Sequence, residues 1–216
     1  MRAHFTHGGG RDTQKNELKP HLKRTWCIGK LDSRFLARME QILALYALPY
    51  DPAYPVVCYD ERPCFLIGDQ IEPVAMQTGQ VRKEHYAYEK NGSCALLAAI
   101  EPLTGNRLAQ VYSHRTKKEY TLFGQALADR FEFFFTPKSA SWLNMIEIEF
   151  SALTRLCLDR RIPCQEQLER EILSLVAQRK ADKIKVTWQF SVQSARSKLN
   201  SHYVKVQSDN EKFREI

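Results

Sequence analysis

The chain has 216 residues, 44% of them hydrophobic, and its 32 Lys plus Arg outnumber 25 Asp plus Glu to give a net charge of +7. That apolar content can bury a core and excludes global disorder, and no apolar run is long enough to span a membrane. The basic excess favours a polyanionic partner, nucleic acid first.

Residues 1–14 are polar and include Gly8-Gly9-Gly10, so a disordered tail without the apolar core of a signal peptide is expected. A basic stretch, Lys15 to Lys30, reads as a surface arm with Trp26 and Ile28 as anchors. Asp32 or Ser33 can cap a helix whose stripe is Phe35, Leu36, Met39, Ile42, Leu43 and Tyr46. Pro49, Pro52 and Pro55 end it. Residues 55–61 (PVVCYDE) read as a buried strand whose C-terminal end carries two acids to solvent. Residues 62–90 hold turns and the basic cluster Arg82-Lys83.

A hairpin follows: the apolar run Ser93–Glu101 and the alternating Arg107–Ser113, joined at Thr104-Gly105-Asn106. Thr116–Arg130 reads as a helix interrupted at Gly124, and Phe131–Thr136 (FEFFFT) as an aromatic strand stopped by Pro137. Ser141 opens one long helix to about Arg161. A second amphipathic helix covers Gln165–Lys180. Residues 183–190 (KIKVTWQF) read as a short strand, with a short helix near Ala195–Leu199 and a frayed tail over 207–216. Of the six cysteines (Cys27, Cys58, Cys64, Cys94, Cys157 and Cys164) none forms a C-x-x-C pair, which points to reduced thiols in a cytoplasmic protein rather than a zinc site.

Acids at strand ends and helix starts suit metal-dependent phosphoryl transfer, because Mg²⁺ takes hard oxygen ligands and two ions can flank the reacting phosphate. Asp60 and Glu147 are the candidates, and no phosphate-binding glycine loop competes with them. Residues 55–61 resemble the first catalytic strand of transposases of the mariner superfamily, in its bacterial insertion-sequence branch. Residues 133–147 (FFFTPKSASWLNMIE) resemble that family's final block, and the similarity runs over roughly residues 15–203. The resemblance implies a ribonuclease-H-like α/β fold, a mixed sheet with flanking helices over residues 55–206, preceded by an arm and helix over 15–54. It implies a DDE endonuclease that cleaves DNA and transfers strands with Mg²⁺ or Mn²⁺. Asp60 would be its first metal ligand and Glu147 its third. Glu61 should face away, since strand neighbours alternate.

The chain departs from that pattern. The family's second Asp ends a strand that should lie before FEFFFT, yet only residues 123–130 intervene, and Asp129 beside Arg130 is a poor substitute. The expected consequence is a sheet without that strand, and catalysis lost, because such sites tolerate only about 0.5 Å of displacement. The upstream helix-turn-helix of the family has no counterpart before Lys15, so DNA contacts would be to phosphates, with Arg82, Lys83, Arg115, Lys117, Lys118 and Lys138 as candidates. Expected partners are DNA and either a second copy or an intact transposase, in a nucleoid-associated setting. The alternatives are a non-catalytic, DNA-binding regulator of an intact transposase, or an unrelated metal nuclease recruiting Asp69 or Glu101.

Overall fold

The computed structural model describes residues 31–212, with side chains to residue 207. The expected tail, the basic arm and Cys27 lie outside the described residues. Helix α1 spans Ser33–Tyr46. Asp32 adopts extended backbone at its N-cap, and its Oδ1 accepts the Phe35 N–H at 2.7 Å. The stripe Phe35, Leu36, Met39, Ile42 and Leu43 is buried, as its spacing requires.

Three strands follow, β1 (Cys58–Asp69), β2 (Tyr88–Ile100) and β3 (Arg107–Tyr112), in the order β1-β2-β3, all antiparallel. Asp60 pairs with Ala98 and Cys64 with Cys94. β1 starts later and runs farther than 55–61, so Asp60 is its third residue rather than its end. The β2–β3 bend needs glycine at 105: its φ is +83°, and a Cβ there would lie 2.9 Å from the Lys183 carbonyl carbon.

Helix α2 (Lys117–Leu127) carries a capping box, with the Thr116 hydroxyl facing the Lys118 and Glu119 turn and the Glu119 carboxylate accepting the Thr116 N–H. It runs straight through Gly124, so the expected interruption there does not occur. Next come a 3₁₀ turn at Ser141–Leu143, α3 (Ile146–Leu153), a π turn at Thr154–Leu158, α4 (Gln165–Ala181), α5 (Val192–Lys198) and α6 (Asn200–Lys212). Residues 207–212, expected to fray, continue α6.

Alternation along the strands divides the sheet into two faces. Cys58, Cys64, Leu66, Leu96 and Ile100 pack with Ile146, Phe150 and Leu153 of α3 and with Leu168 and Ile172 of α4. Leu97 and Ala99, on the other face, pack against Phe123, the one buried residue of α2. Helices thus cover both faces of the sheet. A separate cluster joins Phe35, Leu36, Met39 and Leu43 of α1 to Leu143 and Ala195. Arg196 donates to Glu40 at 2.7 and 2.8 Å and Tyr203 donates to it at 2.8 Å, fastening α5 and α6 to α1. This cluster holds the Ser141–Leu143 turn in place beside β1.

Three expectations are corrected. The sheet is antiparallel rather than mixed, because neither FEFFFT nor 183–190 is a strand. The alternate rings of FEFFFT stack as on an extended chain, but a strand needs a ladder, and none of the three strands pairs with it. β1 is a sheet edge, and FEFFFT does not pair with it. The long helix after Ser141 is broken, because Asn144 adopts extended backbone (ψ 116°) and turns its side chain onto β1. Farther on, the Thr154 hydroxyl donates to the Phe150 carbonyl at 2.6 Å and the Cys157 thiol to the Leu153 carbonyl, which widens the last turn.

Candidate active site

Asp60 lies on the sheet face that α3 covers. Cys58 and Cys64 on the same strand join the α3 core, while Arg62 donates to Thr154 Oγ1 at 2.6 Å and to the Phe150 carbonyl at 3.3 Å. The carboxylate is half-buried. Its Oδ1 accepts the N–H of Glu61 at 2.8 Å, and its Oδ2 lies 3.5 Å from Asn144 Nδ2. Burial pushes the Asp60 carboxyl above its ordinary range, with the neighbouring Glu61 charge adding to the rise; bonds from Glu61 N–H and Asn144 oppose it.

Glu147 stands in the first turn of α3, half-exposed. Asn144 couples it to the strand. The Asn144 amide donates to the Tyr59 carbonyl at 3.0 Å, its Oδ1 accepts the Ile146 N–H, and its backbone carbonyl accepts the Glu147 N–H at 3.1 Å. One residue thus ties the start of α3 to the backbone on which Asp60 sits. Sequence reasoning quoted Asn144 inside the Ser-Trp-Leu-Asn block but gave it no role. Its signal was an Asn at a helix start, a residue that competes for backbone groups.

Glu61 points to the opposite face and forms an ion pair with Arg115. Among the described residues, no three His, Cys, Asp or Glu side chains gather where a metal ion could be held. Asp69 is held by Arg161 at 2.7 Å, Glu101 accepts from Asn106, and Asp129 is exposed. The donor set present therefore does not fit a two-metal centre, which needs carboxylates converging from separate elements.

The candidate DNA-contacting cations fall in three places. Arg82 pairs with Glu84 at 3.1 Å on the β1–β2 excursion, where Lys83 bonds Val74 through its backbone. Arg115, Lys117 and Lys118 collect at the N-terminal end of α2, and Lys138 is exposed in the turn before Ser141. Lysines at a helix N-terminus oppose the helix dipole, so Lys117 and Lys118 do not stabilise α2 through it.

Sequence reasoning also missed a buried ionic clasp. Glu149 (2% exposed) accepts from Arg107 Nε at 2.9 Å and from Arg179 Nε and Nη2, both at 2.9 Å. Arg107 (5% exposed) also donates to the carbonyls of Gly105 and Ile184. Burial pushes the Glu149 carboxyl up, but the two arginines outweigh it and hold it below the usual range. The clasp joins β3, α3 and α4 and so fixes the helix that presents Glu147.

Residues 113–169 match the family model described as a DDE superfamily endonuclease. That segment is about a quarter of the chain; it contains α2, FEFFFT, Asn144 and Glu147 and stops short of Asp60. The match supports a transposase-like DDE endonuclease, an enzyme class whose substrate is DNA. Searches of curated proteins and of solved structures returned no match. No helix among the described residues is long and apolar enough to cross a membrane.

Proposed function

We propose that the chain is a transposase-derived DDE endonuclease domain, of the bacterial insertion-sequence branch of the mariner superfamily, that contacts DNA without cleaving it. The observation that carries this reading is the pairing of Asp60 with the Glu147 helix start through Asn144, in a site without a third converging carboxylate among the described residues. Asp60 and Glu147 are the inherited acids on this reading. The middle Asp and its strand are absent, so Mg²⁺ or Mn²⁺ is held weakly and water is not activated. DNA is retained through phosphate contacts from Arg115, Lys117 and Lys118, with Arg82, Lys83 and Lys138 contributing at the margins. A protein that occupies DNA without cutting it would act as a regulator of an intact transposase.

The test incubates the full chain with supercoiled DNA in Mg²⁺ and in Mn²⁺. Nicking no faster than that of Asp60→Ala is expected, with measurable DNA binding. The slope of log affinity against log salt should fall by about 0.9 for each of Lys117 and Lys118 changed to Ala. Cleavage that Asp60→Ala abolishes would overturn the loss of catalysis. Salt-independent binding would overturn the phosphate contacts.

A further inference from the structure

Residues 129–136 stand apart from the rest of the described chain. Among the described residues, none of them makes a backbone–backbone hydrogen bond, and none of their side chains makes a hydrogen bond. The backbone is nonetheless extended, because the rings of Phe131, Phe133 and Phe135 stack in succession at 5.4 and 6.0 Å, which puts every second residue on one side. Phe133 and Phe135 are 52% and 70% exposed, and the Phe133 ring lies 6.5 Å from that of Tyr59 in the sheet. A preformed strand with free donors and acceptors along its length, lined by aromatic side chains, is a template for another strand.

The neighbouring edge of β1 is a poor partner for it. The Tyr59 carbonyl is taken by Asn144, the Glu61 N–H by Asp60, the Ile67 N–H by Ile162, and Pro63 has no N–H. The segment itself is a good partner for a second copy. Two-fold antiparallel pairing places residues of like parity opposite each other, so the axis passes through one residue of the segment. An axis at Glu132 would set two carboxylates face to face, and an axis at Phe134 would set Arg130 against the partner's Lys138. An axis at Phe133 avoids both. It places Phe131 opposite the partner's Phe135 and Phe133 opposite its own counterpart, an aromatic ladder on one face of the new ribbon.

We infer that Phe131–Thr136 is a dimerisation strand, pairing antiparallel with the same segment of a second copy about a two-fold axis at Phe133. The segment's lack of a sheet partner among the described residues makes it available, like charges disfavour the axes at Glu132 and Phe134, and the axis at Phe133 pairs the most aromatic residues. This inference does not depend on whether DNA is bound or cut.

The experiment is sedimentation velocity of the full chain, nuclease-treated, at about 0.15 M salt, where the repulsion between two +7 copies is largely screened. A concentration-dependent dimer is expected. Phe131→Lys with Phe135→Lys should weaken it at least tenfold, whereas Phe131→Lys with Phe135→Glu should restore association, since opposite charges then face each other twice. Both variants remove the same aromatics from exposed positions, so a difference between them reads the register. Hydrogen exchange of the wild-type chain gives an independent readout. The 131–136 amides should slow as protein concentration rises. A wild-type chain that stays monomeric, equal association of the two double variants, or exchange independent of concentration would each overturn the inference.

Discussion

Glu147 and Glu149 lie two residues apart on α3, and their surroundings are opposites. Glu149 is enclosed by two guanidinium groups, with both of its oxygens bonded. The Glu147 side chain has no hydrogen-bond partner among the described residues, and Asp60 accepts from a backbone N–H and an amide with no cation in direct contact. Both stand in the first turn of α3, where one face is fastened by satisfied charges and the other by a single neutral residue. The contrast separates what holds this fold from what its chemistry would need. A carboxylate buried with its counter-charges is structural, and a carboxylate half-buried without them is spare capacity.

The largest expected effect probes the fastened face. Glu149→Ala leaves Arg107 buried without its counter-charge, and breaking a buried pair from one side costs about 3–5 kcal/mol. Urea unfolding of the two proteins measures it. A loss below about 1 kcal/mol would erase the distinction between the two faces of the α3 first turn. On the open face, Asn144→Ala removes the amide that reaches Tyr59, and one neutral hydrogen bond contributes about 0.5–1.5 kcal/mol. The same unfolding experiment should rank it well below Glu149→Ala.

The smallest effect is a difference of sign with pH. Glu149 is held below the ordinary carboxyl range, so its stabilisation is present above that range and is lost as pH falls through its folded value. Asp60 is raised, so the folded state favours its protonated form, and that contribution is lost as pH climbs above the ordinary Asp range and through the raised folded value. Asp60→Asn should therefore stabilise the protein modestly near neutrality, with the advantage vanishing in acid. Urea midpoints of wild type and Asp60→Asn from pH 3 to 7 check this. A variant less stable than wild type at pH 7 would mean that Asp60 has a cation partner after all.

Much of the local structure was legible in the residues themselves. The α1 stripe, the hairpin around Gly105 and the extent of α4 follow from spacing and turn chemistry, which act within a few residues. FEFFFT was misread for an instructive reason. Its aromatics favour extended backbone and the chain is extended there, but a strand exists only when another strand accepts its hydrogen bonds, and composition cannot report an absent partner. The 183–190 segment is similar: Lys183 is left-handed (φ 49°) at the end of α4, and Val186 bonds the Pro102 carbonyl without joining the sheet.

The sequence by itself determined the candidate acids, Asp60 and Glu147, and the gap between their blocks, because those depend on residue identity and order along the chain. Only the tertiary structure decided that Asn144 joins them, that Glu149 belongs to a buried clasp, and that β1 is left as an edge beside an unpaired aromatic segment. Each of these links residues tens of positions apart, and their energies come from burial and hydrogen-bond geometry that no local pattern encodes.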